Sequence, residues 1–371
     1  MRTIPYGRQH IDDDDVQAVA EALKSDYLTT GPRVGEFERA VADFSRAGHG
    51  VAVSNGTAAL HAAMFALGIG PGDEVIVPPM TFAATANCVL YMGARPIFAD
   101  VTPDTLLLDP AKAEAKITDR TRAIIGVDYA GQPCDWTALK AIADRHGLAT
   151  VADGCHALGA EHDGKRVGTL ADITVYSFHP VKHVATGEGG MVLTDDPALE
   201  ERLRNFRNHG ITTDARTRER SGMWFYEMRD LGYNYRMTDI QAALGTSQMK
   251  KLPAFLKRRR AIAARYDQAF AGTRVRPLAV RENALHAYHL YVVRVPNRDE
   301  VYKKLRENGI FAQVHYIPVH FHPYYRERLG TGEELCPAAE AAYDEILSLP
   351  MFPDLTDDEQ GYVVDKVLEA V

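Results

Sequence analysis

The sequence predicts an α/β layered protein followed by a smaller α+β unit, and three features of its 371 residues carry that expectation. From Val51 to Asp153, short runs rich in valine and isoleucine alternate with helical patterns, as in βαβ units that cover a largely parallel sheet with helices. Near Pro253 the alternation changes, so a boundary is expected there: a large unit over residues 1–252 with an N-terminal arm, and a small one over residues 253–371. The length is ample for two cores.

Composition narrows the function classes. A hydrophobic share of 46% and a charged share of 25% suit a soluble globular chain. A net charge of -8 opposes nucleic acid and anionic membrane surfaces, so neither is expected as a partner. MRTIPYGRQHIDDDDV carries acids and a proline where a secretory signal needs an apolar core, and no run reaches the ~18 apolar residues of a membrane span. A cytoplasmic location is expected. Cys88, Cys134, Cys155 and Cys336 lack CxxC spacing, which fits reduced thiols and no structural zinc.

Taken in order, residues 11–24 place acids first and Val16, Val19, Ala20 and Leu23 at helical spacing, which predicts a helix with anions at its positive end. Thr29, Thr30 and Gly31 in LTTGP form a loop, read equally well as a connector, and a helix is expected over 34–47. In VAVSNGTAAL a short strand runs through a turn at Ser54 to Gly56 into an alanine-rich helix over 57–67. Such a turn leaves free N–H groups at a positive helix end, where a phosphate can sit, and Thr57 adds a hydroxyl. An ordinary capped helix explains the same letters.

Strands are then expected at EVIVPP, RPIFADV, RAIIGVDYA and ATVAD, with helices over 83–92, 110–116 and 136–146 between them. Parallel strands present functional groups at their carboxyl ends, so Phe82, Asp100, Asp128 and Asp153 should gather on one rim. Phe82 is placed to lie against a flat ring, unless it is simply core. Asp153, at the end of an apolar run, needs a buried cation or donor, or else acts as a helix cap. A protonated pyridine nitrogen would be such a partner. His156 stands three residues on, as a ring-hydroxyl partner or a satisfied core histidine.

ADITVYSF and GGMVLTDD read as strands, so residues 177–189 form a loop that carries Lys182. An amine whose charge is disfavoured becomes a nucleophile and forms a Schiff base with an aldehyde. A lone lysine is ordinarily a solvated surface group; the aspartate and the phosphate-type turn are what favour the chemical reading.

Further on, a helix is expected over 197–209, then the polar segment TTDARTRERSGMWFYEM as a flap or interface loop, then a helix from Thr238 preceded by Asn234 and Arg236. The C-terminal part predicts strands at HAYHLYVVRV and IFAQVHYIP, and helices over 299–307, over 337–349 and from the capping box TDDE at Thr356. His315, His320 and His322 have no carboxylate or thiolate at ligand spacing, so no metal is expected and packing or ligand contact is preferred.

The motifs LTTGP, SNGTAAL, PPMTFAATANCVL, DGCHALGA, SFHPVKHVATGEGG and GYNYRMTDIQAALG, in that order, resemble the DegT/DnrJ/EryC1/StrS family of sugar-nucleotide aminotransferases over nearly the whole chain. The resemblance implies the aspartate aminotransferase fold (fold type I), with a large mixed-sheet domain, a small C-terminal α+β domain and a homodimer sharing its active sites. It implies pyridoxal 5'-phosphate held by Lys182, with Asp153 on the pyridine nitrogen, His156 near the ring hydroxyl and Phe82 stacked on the ring. Gly56, Thr57, Ala58 and Ser177 would hold the phosphate, and Asn234 would reach it from the partner subunit. Tyr6, Thr29, Thr30, Gly31, Arg236, His315 and Tyr316 would be substrate contacts. DGCH departs from the commoner DAAH or DAAQ but leaves Asp153 and His156 in place.

SFHPVKHVATGEGG and VHYIPVHFHPYY look most like the subgroup that aminates UDP-4-keto-6-deoxy sugars on the pseudaminic acid route, with L-glutamate as donor. Competing expectations are an aminotransferase for a dTDP- or GDP-linked sugar at carbon 3 or 4, a dehydratase, and a non-catalytic regulator on the same fold. Lys182 at the motif position disfavours the dehydratase, in which histidine replaces it; the regulator would need a basic DNA-binding part that this chain lacks.

Overall fold

The computed structural model describes residues 3–213, 218 and 221–371. The N-terminal arm begins with β1 (Ile4–Pro5) and α1 (Asp13–Leu23). Asp12 accepts the Asp15 N–H while the Asp15 side chain reaches back to the Asp12 N–H, a reciprocal cap that starts α1 beside two further acids, Asp13 and Asp14. Of the four apolar positions at helical spacing, Val19 and Ala20 are half-buried, but Val16 is 60% and Leu23 57% exposed, while Asp15 and Ala22 are buried. Asp15 is stabilised there by Lys251 Nζ and Gln248 Nε2, each at 2.7 Å, partners too distant in sequence for the helix pattern to reveal.

α2 (Pro32–Ser45), β2 (His49–Val53) and α3 (Gly56–Ala66) follow, then β3 (Glu74–Val77), α4 (Ala84–Tyr91), β4 (Arg95–Phe98), α5 (Pro110–Glu114), β5 (Thr121–Val127), α6 (Trp136–His146) and β6 (Ala149–Asp153). After the hairpin β7 (Glu161–His162) and β8 (Lys165–Arg166) come β9 (Ile173–Ser177), β10 (Gly190–Thr194) and α7 (Pro197–Phe206). Seven strands form the central sheet in the order β2-β10-β9-β6-β5-β3-β4. β10 runs antiparallel to both of its neighbours, and the β9-β6-β5-β3-β4 ladder is parallel. This large mixed sheet, covered by helices, is the aspartate aminotransferase arrangement expected from the motifs.

α8 (Asp239–Phe270) contains Pro253 without a break, which corrects the expected interruption. Leu252, Phe255 and Leu256 are buried around the proline, so packing outweighs its missing N–H. Beyond α8, β13 (Tyr291–Arg294) is shorter than expected; of the minor strands before it, β11 (Arg276–Pro277) pairs with β13 and β12 (Ala284–Leu285) pairs with β7. Residues 286–290 instead loop back to the large sheet, with the Ala287 N–H on Gly131 O at 2.8 Å and the Leu290 N–H on Ala130 O at 3.1 Å. α9 (Arg298–Glu307) leads to β14 (Ile310–Phe311), which pairs with β1 and then leaves the sheet rather than continuing through Pro318. Two short helices follow, α10 (Pro323–Leu329) and α11 (Pro337–Tyr343).

The helix expected over 337–349 ends at Tyr343, and β15 (Ile346–Leu349) follows, paired antiparallel with β13. All four of its residues are buried, so neither face gave a two-residue period to read. α12 (Asp357–Ala370) closes the chain with the Thr356–Glu359 capping box. A second cluster of buried residues, centred on Tyr266, Val293 and Leu347, lies apart from the cluster on the central sheet and includes Ile4 of the arm. Of the polar segment 212–228, residues 214–217, 219 and 220 lie outside the described residues; Trp224 within it is 85% exposed. No helix among the described residues is long and apolar enough to cross a membrane.

Candidate active site

Carboxyl ends of β5, β6 and β9, the N-terminus of α3, the arm and the segment after β14 enclose a cavity of about 680 Å³. It gathers Tyr6, Gly56, Thr57, Ala58, Phe82, Asp153, His156, Ser177, Lys182, His315 and Tyr316. Thr29, Thr30, Gly31, Asn234 and Arg236 do not line it. They cluster at the start of α8, where the Gly31 N–H donates to Asp239 Oδ2 at 2.7 Å, Arg236 donates to Asn208 Oδ1 at 2.9 Å and Thr29 bridges to Thr238. Asp100 and Asp128 also leave the rim. Asp100 accepts from Ala338 and Ala339 N–H, capping α11, and Asp128 is buried under Trp136 Nε1 at 2.9 Å.

Lys182 hangs from a loop that closes on itself: Phe178 N–H bonds Gly189 O at 2.8 Å, and Thr186 N–H bonds Phe178 O at 2.9 Å. Its Nζ lies 3.5 Å from His289 Nε2. Burial depresses the lysine's pKa below its ordinary value, opposed by the nearby Cys155 and Asp153, so the reactive free amine is favoured.

Asp153 ends β6 at 6% exposure. Thr85 Oγ1 donates to its Oδ2 at 2.7 Å and the Cys155 N–H to its Oδ1 at 3.2 Å. Thr81 Oγ1 sits 2.7 Å from Thr85 Oγ1; with Thr85's one proton on the carboxylate, Thr81 is the donor of that pair. A buried carboxylate held from behind in this way keeps lone pairs for a cation on its cavity side.

The α3 start is an anion cradle. Asn55 Oδ1 takes the Ala58 N–H at 2.8 Å, leaving Gly56 and Thr57 N–H without helical acceptors at the positive end of the helix. A Cβ on Gly56 would come within 2.9 Å of Ser177 Cβ, so glycine is what lets the helix start and the β9 end share this corner.

His156 Nε2 and Tyr316 OH are 3.0 Å apart, and His156 Nδ1 is buried without a partner among the described residues. Burial drives His156 and His289 well below the ordinary histidine pKa, with the Lys182 charge adding to it, and pushes His315 down to about 3. All three imidazoles are therefore neutral. His315 Nδ1 pairs with Ser348 Oγ at 2.9 Å, and Tyr129 OH donates to the His315 carbonyl. Phe82 stands at the mouth, 62% exposed.

Thr85 and His289 were not singled out from sequence. Thr85 lies three residues past Phe82, in the first turn of α4, the position from which a side chain reaches the same rim. His289 was concealed in an apolar run read as strand. His320 Nε2 meets Glu340 Oε1 at 3.0 Å, and no group of three or more potential metal ligands converges among the described residues.

A family model described as the DegT/DnrJ/EryC1/StrS aminotransferase family matches residues 9–368. The chain is 43% identical over 378 residues to the spore coat polysaccharide biosynthesis protein SpsC of Bacillus subtilis, covering 99% of this chain and 96% of that one. Among solved structures it resembles Spr1654 of Streptococcus pneumoniae in its PMP-form, at TM-score 0.95 and 33% identity with 99% of each chain covered. It also resembles Helicobacter pylori PseC, an aminotransferase involved in the biosynthesis of pseudoaminic acid, at TM-score 0.93 and 32% identity, covering 100% of this chain and 99% of that one.

Proposed function

The chain belongs to the DegT/DnrJ/EryC1/StrS aminotransferase family, and from that premise we propose that it transfers the amino group of L-glutamate to carbon 4 of a UDP-linked 4-keto-6-deoxy hexose bearing an N-acetyl group. Pyridoxal 5'-phosphate is the cofactor of this family of enzymes. The residues here fit it: a corner that only glycine admits, at a helix N-terminus, for the phosphate, and a doubly held carboxylate across the cavity from a buried lysine. When bound, the cofactor supplies an electron sink that acidifies the C–H bond next to the reacting amine.

In this reading Lys182 Nζ would carry the cofactor and, when free, would move the proton, a task suited by the burial that lowers its pKa from the ordinary lysine value. Asp153 holds the ring nitrogen in its charged form, His156 and Tyr316 form one wall, and Phe82 covers a ring face. Gly56, Thr57 and Ser177 hold the phosphate, while the Ala58 N–H is taken by Asn55 Oδ1. The observation that carries the transaminase reading is Lys182 and Asp153 facing one cavity beside that cradle.

The described residues lining the cavity include no arginine, and Lys182 is the one lysine among them. A nucleotide sugar brings a pyrophosphate and glutamate brings carboxylates, so further donors are required. We assign them to Asn234 and Arg236 of a second copy, which makes the enzyme a homodimer with shared sites. The proposal also divides the chain at residues 252 and 253, midway along α8, with the second buried cluster as the small domain's core.

The likeness to PseC, an aminotransferase involved in the biosynthesis of pseudoaminic acid, supports an acceptor on a route of that kind. A product assay decides it: glutamate with a panel of UDP-, dTDP- and GDP-linked 4-keto and 3-keto sugars, followed by NMR of the new amine. Preference for a dTDP or GDP sugar, or amination at carbon 3, contradicts the acceptor while leaving the transaminase reading. No amine product and water loss from the sugar would mark a dehydratase.

A further inference from the structure

His289 occupies a mount built from three parts of the chain, and nothing in the roles above uses it. Gly131, at φ +107°, packs against the backbone at residues 288 and 289, where a Cβ would meet Tyr288 N at 2.8 Å and His289 N at 3.0 Å. The Ala287 and Leu290 N–H groups anchor the segment to Gly131 and Ala130. From the other side, buried Arg259 Nη1 donates to the carbonyls of Tyr288 at 3.0 Å, His289 at 3.3 Å and Met351 at 3.0 Å. So fixed, His289 is 4% exposed and turns Nε2 toward Lys182 Nζ. Its Nδ1 has no partner among the described residues, although an unpaired buried polar atom is costly. A core histidine kept only for packing would not keep that cost.

We propose that His289 is the positioning residue for Lys182: its Nε2 accepts an Nζ–H whenever the amine is free of the cofactor. The inference rests on the transaminase reading. Both the amine and the ammonium forms of Lys182 have an N–H to donate, so a single tautomer of His289, with its proton on Nδ1, serves both. The proton that Lys182 takes up stays on Lys182. His156, at 4.4 Å between ring centroids, His183 and the Arg259 guanidinium also face His289, and burial together with these neighbours keeps its ring neutral. His183 does not compete for the amine, because its Nε2 is engaged with the Ala287 carbonyl at 2.9 Å. An amine held in one direction attacks and transfers protons without a search.

The test compares His289→Leu with His289→Gln, similar in volume but differing in an acceptor, with His289→Phe alongside so that no single fold decides it. The full chain, stripped of cofactor, is mixed with pyridoxal 5'-phosphate, and the rise of visible absorbance from lysine attachment is timed by stopped flow. Loss of one buried hydrogen bond corresponds to about a tenfold slower attachment in the Leu and Phe variants, with Gln within about threefold of wild type. The isotope effect of α-deuterated glutamate on the single-turnover half-reaction should rise in Leu and not in Gln. Wild-type attachment in Leu and Phe, or equal slowing in all three, overturns the proposal. If the wild type attaches cofactor but never consumes glutamate, the transaminase reading fails while the attachment rates still judge His289.

Discussion

Replacing Gly190 by alanine perturbs the cofactor cradle without touching a cofactor contact. Gly190 opens β10, paired with Ser177 of β9 on one side and Val53 of β2 on the other. A Cβ there would lie 2.4 Å from Asn55 O, 2.6 Å from Asn55 C and 3.0 Å from Gly56 N. Every one of these is backbone, and the sheet pins Gly190 from both sides, so no side-chain rotation relieves the overlap. The Asn55 carbonyl also accepts the Ala59 N–H at 3.1 Å, so the displaced group is the α3 cap itself. Overpacking of this kind costs about 1–3 kcal/mol. Moving the N–H cradle away from a phosphate loses a charge-assisted bond of about 1.5–3 kcal/mol, or roughly a 10- to 100-fold weaker cofactor Kd. Denaturant melts of the cofactor-free protein and absorbance titrations with pyridoxal 5'-phosphate measure the two losses separately. Gly70→Ala is the control, because a Cβ at Gly70 meets nothing within 4 Å among the described residues. Gly190→Ala melting and binding like Gly70→Ala would refute the cradle argument.

Asp153→Asn should retain the cofactor and lose about 10²- to 10³-fold in the glutamate half-reaction, since it removes the charge opposite the ring nitrogen and leaves the phosphate contacts alone; a wild-type rate ends that role. Mixing Lys182→Ala with an Asn234→Ala, Arg236→Ala double variant should restore up to one intact site per heterodimer, and no recovery after verified subunit exchange counts against shared sites. Acid should unfold the protein progressively. His286, whose Nδ1 accepts the Tyr288 N–H at 2.8 Å, and His315 are pushed down to about 3 by burial. Between about pH 6.5 and about 3 the unfolded chain binds more protons at these sites, so stability is complete above that window and falls by about 1.4 kcal/mol per pH unit per histidine as pH drops. His286→Gln should flatten the slope by one histidine's share; an unchanged slope contradicts the assignment.

Local signals carried most of the fold. The caps at Asp12, Asn55, Thr238 and Thr356 start their helices through side chains within three residues, and such bonds are written in consecutive letters. Lys182, Asp153, Gly56 and Phe82 were legible because strand ends in a parallel sheet converge. Features that depend on distant partners were not legible. Asp15 is buried only because Lys251 and Gln248 come to it, Asp128 turned inward to Trp136, and Ile346–Leu349 became a strand because β13 was there to pair with it. His289 reaches the site through Gly131 and Arg259, which no run of letters around it announces. Thr29 to Gly31 and Arg236 gather at the start of α8 and not in this chain's own cavity, an arrangement that motif order alone does not distinguish.

The central claim is that Lys182 is the residue that carries the cofactor. Borohydride reduction of the purified holoenzyme, followed by peptide mass mapping, tests it most directly. The account predicts the reduced pyridoxal phosphate mass on the peptide containing Lys182 alone, and neither that adduct nor the visible band in Lys182→Ala. A label on another lysine, or a Lys182→Ala protein that keeps a reducible adduct and normal turnover, would contradict it.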